Sequence, residues 1–161
     1  MELQFSNHIG ELEYRNWIQL SNEEPIPLPL MIEIQVARIN SSETYLADLE
    51  AEITMQGSLF DGDRQIIHIS WNGDIDNRLA PDIKSKLLAR VGASFNCAYP
   101  LRPFELAEIR LLGFDLIGCG LSAISHIGDN YCQNSSNHAD YHELLLSGHL
   151  PIVRGYCPRG D

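Results

Sequence analysis

The stretch from Thr44 to Ser58 constrains the chain more than any other. Tyr45, Ala47, Leu49, Ala51, Ile53 and Met55 share one parity, and Leu46, Asp48, Glu50, Glu52, Thr54 and Gln56 share the other. Strand side chains point alternately to opposite faces, so an extended reading gives one apolar face and one face bearing three carboxylates. A helix competes, because Leu46, Leu49 and Ile53 fit i, i+3, i+7 and Ala and Glu are good helix formers. Six alternating apolar positions against three helical ones favour the strand.

The flanking segments support that choice. Leu30 to Ile39 reads as a strand with Ile32, Ile34 and Val36 on one side. Gln65 to Asn72 reads as another, with Ile67, Ile69 and Trp71 aligned. Asn40 to Glu43 is a turn, and Asp61-Gly62 suits a tight hairpin. The expected fold is therefore α+β: an antiparallel β-meander over about residues 30–72, packed against two or three helices. Pro25 to Pro29 is an extended connector, since alternating prolines fix φ and remove backbone donors. Residues 1–161 read as a single acidic domain around that connector.

Elsewhere, Tyr14 to Leu20 suits a short strand. Ala80 to Val91 is the clearest helix, with Pro81 in its first turn, Asp82 at its N-terminal end and Gly92 as a stop. Ala93 to Tyr99 suits a strand and Phe104 to Leu112 a helix. Phe114 to Ile127 suits buried strands, 128–137 a polar loop, Asn137 to Ser147 a helix capped by Asn137, and Leu150 to Tyr156 a returning strand.

Charge narrows the function. Eleven Lys and Arg oppose twenty-two Asp and Glu, a net charge of −11. Residues 1–63 hold two Arg against twelve acids, whereas 78–110 hold six basic groups against three acids. Phosphate binding depends on Lys and Arg, so the acidic half disfavours direct nucleic-acid binding and favours a protein partner with a basic surface. The first ten residues lack a basic start followed by an apolar run, and no apolar stretch reaches a membrane-spanning length. A cytoplasmic protein without a membrane partner is the expectation; oligomeric state is open.

Two constellations are candidate sites. Glu33, Glu43, Asp48, Glu50 and Glu52 would form an acidic sheet face able to engage a basic protein surface, even a nucleic-acid-binding one by mimicry. Cys132, His138, His142 and Cys157 could hold zinc: the two histidines lie one helical turn apart, and the cysteines flank them. Their spacing matches no standard finger, so no cofactor is the default and zinc the alternative. Four cysteines without a secretory signal read as free thiols or ligands. Phosphate-loop, nucleophile-elbow and His-Glu-x-x-His signatures are missing, and Gly118-Cys-Gly120 reads as close-packed backbone.

The order of a meander followed by a helix, with Tyr99-Pro-Leu-Arg-Pro-Phe-Glu-Leu106, resembles the SecB-like export chaperones over residues 30–116. That resemblance rests on element order and assigns no residue a role. The expected function is a non-enzymatic binding module of inhibitor, adaptor or chaperone type. The alternative is a zinc-dependent enzyme or zinc-stabilised domain.

Overall fold

A computed structural model describes residues 4–39, 44–60, 64–74, 79–95 and 113–158. The expected Phe104–Leu112 helix, the 40–43 turn and the 61–63 hairpin lie outside them.

The central stretch is a helix. After α1 (Glu11–Asn22) and β1 (Leu30–Gln35) comes α2 (Tyr45–Gly57), then β2 (Ile66–Asn72) and α3 (Pro81–Ser94). Next are β3 (Asp115–Cys119), β4 (Ile124–Ile127), β5 (Asn130–Asn134), α4 (His138–Leu146) and β6 (Ile152–Tyr156). The buried side of α2 is Tyr45, Asp48, Leu49, Glu52, Ile53 and Gln56. Those positions recur every three to four residues, the helical period. The alternating reading fails because it sends every polar residue to solvent, whereas Asp48, Glu52 and Gln56 are buried with partners.

The fold combines α and β elements, but its sheet is mixed rather than an antiparallel meander over 30–72. Six strands run in the order β2-β1-β3-β4-β5-β6. β1 pairs parallel with both β2 and β3. Parallel neighbours cannot be joined by a tight hairpin and need a crossover; α2 is that crossover between β1 and β2. An antiparallel meander does exist further on, where β3, β4 and β5 run in succession and β6 pairs with β5. It includes β5, where a polar loop was expected, and removes the basis for the chaperone resemblance.

β1 alternates as expected of a strand covered on one face, with Leu30, Ile32 and Ile34 wholly buried. The first helix replaces the expected Tyr14–Leu20 strand, because Tyr14, Trp17 and Ile18 are spaced to face one side of a helix and are the residues it buries. Its start is closed by Glu13, whose side chain accepts the Gly10 N–H at 3.0 Å. The α3 and α4 expectations agree with the structure, and the Asn137 side chain caps α4 by accepting the Asp140 N–H at 3.1 Å. α2 packs on α3, where Gly57 meets the backbone of Ser94 so closely that no Cβ fits. Among the described residues no helix is long and apolar enough to cross a membrane.

Candidate functional site

Parallel strands in an α/β layer place ligand sites at their carboxyl ends. Here β1 ends at Gln35 and β3 at Cys119, and the turn after β3 delivers a backbone N–H to one buried acid on α2. Glu52 is 0% exposed. Its Oε1 accepts the Gly120 N–H and the Tyr141 hydroxyl, each at 2.8 Å. Its Oε2 accepts Asn134 Nδ2 at 2.9 Å and Gln56 Nε2 at 3.2 Å. Gly120 is required at its place: φ is +115°, and a Cβ would collide with the Tyr45 hydroxyl and the Gln35 side chain.

The network continues outward. Tyr14 donates to Gln56 Oε1 at 2.6 Å, and Tyr45 donates to the Gln35 carbonyl at 2.8 Å while accepting the Leu121 N–H at 3.0 Å. Burial raises the Glu52 pKa, and the donors from Asn134, Gly120, Tyr141 and Gln56 oppose that rise. Burial likewise raises the Tyr14, Tyr45 and Tyr141 hydroxyls, which keeps them as donors. With four donors and no solvent access, Glu52 ties α2 to β5, α4 and the β3–β4 turn, and Gln56 extends the network to Tyr14 of α1.

The histidines lie at the surface end of the same helix pair. His142 Nδ1 is 2.9 Å from Asp48 Oδ1, and His138 Nε2 is 3.6 Å from Asp48 Oδ2. Asp48 is thus drawn into an α2–α4 contact. The other expected acids disperse too. Glu33 accepts from Gln35 and Asn72 on the sheet. Glu50 faces Lys86 at 3.2 Å and Arg90 at 3.4 Å on α3. Glu43 lies outside the described residues. Among the described residues no acidic row forms, because helical geometry turns Asp48, Glu50 and Glu52 to different neighbours.

Cys132, His138, His142 and Cys157 are not brought together either. Cys132 is buried on β5 opposite Gly155, Cys157 follows β6, and the histidines face Asp48 instead. Among the described residues no group of three His, Cys, Asp or Glu is arranged to hold a metal ion. Cys119, Cys132 and Cys157 are free thiols. Burial pushes the Cys119 and Cys132 thiols well up, the opposite of what a thiolate ligand needs.

At the other end of the sheet, where β1 and β3 begin, Arg64 and Asp115 form an ion pair at 2.8 Å with both side chains 2% exposed. Asp115 also accepts the Ser21 hydroxyl at 3.2 Å and the Gly128 N–H at 2.9 Å. Beside this pair opens a cavity of about 520 Å³.

No family model matches the chain. A stretch of 48 residues is 54% identical to the oxygen-independent coproporphyrinogen III oxidase of Pseudomonas aeruginosa, which is 29% of this chain and 10% of that protein. The fold is similar to that of HemN from Escherichia coli, with a TM-score of 0.52 and 13% identity over 94% of this chain and 76% of that one. Both are coproporphyrinogen III oxidases. The solved one is described as a radical SAM enzyme. The chain spans about a tenth of the length of the curated relative that it matches.

These likenesses overturn the expected non-enzymatic inhibitor, adaptor or chaperone. Its acidic docking face does not form among the described residues, and the similar proteins are enzymes. Sequence reasoning also missed Tyr141, Asn134, Gln56, Arg64 and Asp115. One signal was available for the first three: a helical reading of 45–57 puts Glu52 and Gln56 on the apolar stripe, where a polar group needs buried partners.

Proposed function

We propose that this chain is scaffold of an oxidoreductase acting on coproporphyrinogen-type tetrapyrroles, holding the tetrapyrrole without ligating an iron–sulfur cluster through its own cysteines. The 48-residue stretch at 54% identity carries the proposal, because identity at that level over a continuous segment reflects common descent. The fold likeness supports it.

Radical chemistry with S-adenosylmethionine draws on an iron–sulfur group held by cysteine thiolates. The cysteines of this chain do not fit that group. They stand at 97, 119, 132 and 157, separated by 22, 13 and 25 residues, rather than in a short run. Cys119 and Cys132 are committed to buried strands with their thiols protonated. No reaction step is therefore assigned to such a cluster here.

Coproporphyrin III, the stable and fluorescent oxidised form of the substrate, provides the test. Saturable one-to-one binding with a Kd of about 1–100 μM, in the ordinary range for enzyme substrates, supports the proposal. No saturation up to about 100 μM, or equal binding by an unrelated acidic protein, overturns it.

A further inference from the structure

The strands β3 to β6 have two unlike faces. The Glu52 network reaches them through Asn134, on the face where Ser125, Cys132 and Asn134 are buried. His126, Tyr131 and Gln133 alternate with those residues, so they point the other way, and all three are only half-buried.

On that second face aromatic rings run in a row across the strands. Phe114, at the entry to β3, lies 5.4 Å from His126 between ring centroids. His126 lies 5.4 Å from Tyr131, and Tyr131 lies 6.5 Å from Tyr156. The row follows the register, since His126 pairs with Tyr131 and Tyr131 with Tyr156. Each ring is half-buried and so keeps part of its surface open. Burial lowers the His126 pKa against the pull of Asp115, which keeps the imidazole neutral at pH 7 and leaves it as ring surface.

A cation stands beside the row. One step further along β5 and β6, Gln133 pairs with Arg154. Arg154 Nε donates to Gln133 Oε1 at 2.6 Å, and the guanidinium lies 4.9 Å from the centre of the Phe5 ring. These contacts hold the exposed side chain in place, and no carboxylate pairs with it among the described residues. At the other end of the same strands, the turn from β4 to β5 carries Asp129. The face therefore has rings in the middle, a positive group at one end and a negative group at the other.

We infer that this face is where the chain holds the tetrapyrrole, with pyrrole rings on the row from Phe114 to Tyr156 and a carboxylate on Arg154, turned away from Asp129. The inference rests on the proposed function and assigns it a surface. Aromatic groups prefer edge-to-face and offset contacts, and rings tilted at 52°, 43° and 51° to one another offer those to a ring laid across them. An unpaired guanidinium matches a carboxylate in charge and in fork geometry. Cross-strand ring pairs stabilise a sheet by themselves, yet that role gives no place to a guanidinium held unpaired beside the row.

Coproporphyrin III titrated into the full ¹⁵N-labelled chain tests the assignment, because a porphyrin ring current shifts the amides beneath it strongly. The amides of His126, Tyr131 and Tyr156 should move most. Arg154→Gln should weaken binding about tenfold and Tyr131→Leu about threefold to tenfold. Arg15→Gln, which removes an equal charge from α1, should leave binding unchanged. Arg154 is exposed, so its variant keeps the fold even where Tyr131→Leu loosens the sheet, and an unchanged amide spectrum away from β5 and β6 verifies this. No saturable binding up to about 100 μM overturns the proposed function and this site with it. Binding with the largest shifts elsewhere, or equal affinity in Arg154→Gln and the wild type, overturns this site alone.

Discussion

The Tyr141 hydroxyl donates to Glu52 Oε1 at 2.8 Å, joining α4 to α2 across 89 residues of chain. Removing only this donor by Tyr141→Phe should cost about 1–2 kcal/mol, since one buried bond is lost and three donors still hold the acid. Glu52→Ala should cost about 3–5 kcal/mol, because it strands four buried donors at once. Urea unfolding measures both. In the double variant the costs should fall short of their sum, as expected for residues in one network.

The same acid sets a pH dependence. Its folded-state pKa is raised above the ordinary 4.5. The folded protein therefore keeps a proton that the unfolded chain has already released, and stability falls as pH rises from about 4.5 through the folded-state value. The slope cannot exceed about 1.4 kcal/mol per pH unit for one proton. Glu11 acts in the other direction. Burial raises its pKa, but the Leu150 N–H, Arg15 and His149 outweigh burial and lower it, so its contribution is present above 4.5 and is lost as pH falls through the lowered value. Thermal unfolding between pH 5 and 8 should show the wild-type chain losing stability relative to Glu52→Gln as pH rises. A constant difference would refute the raised pKa.

Arg64 and Asp115 make a second test of buried polar packing. Asp115→Asn leaves an uncompensated guanidinium in the sheet edge and should cost about 3–5 kcal/mol. Arg64→Met with Asp115→Leu replaces both charges by apolar groups and should recover much of that loss. Chemical denaturation of the single and double variants gives the comparison directly. A double variant no more stable than Asp115→Asn would mean that the pair's other hydrogen bonds, to Leu28, Ser21 and Gly128, carry this edge.

Local chemistry made part of the fold legible. Pro81, Asp82 and the stripe of Leu87 and Val91 mark α3, and Asn137 marks α4, because caps and periodicity are written within a dozen residues. The strands β1 and β2 were readable for the same reason. Their relative direction was not. Whether Leu30–Gln35 and Ile66–Asn72 run parallel depends on the intervening segment, and Tyr45–Gly57 satisfies a strand pattern by apolar count. Only the partners of Glu52, contributed by Gly120, Asn134 and Tyr141 far along the chain, make its burial as a helix tolerable. The Arg64–Asp115 pair was hidden for the same reason: both residues are unremarkable in sequence and meet only in the folded sheet.

In the proposed function the chain keeps a tetrapyrrole-oxidase scaffold without supplying the thiolates for an iron–sulfur cluster. Iron content per chain after anaerobic reconstitution with iron and sulfide tests it most directly. The expected result is well below one iron per chain, with coproporphyrin III binding retained in the same sample. About four irons per chain, lost on Cys119→Ser or Cys132→Ser in variants that stay folded, would contradict it.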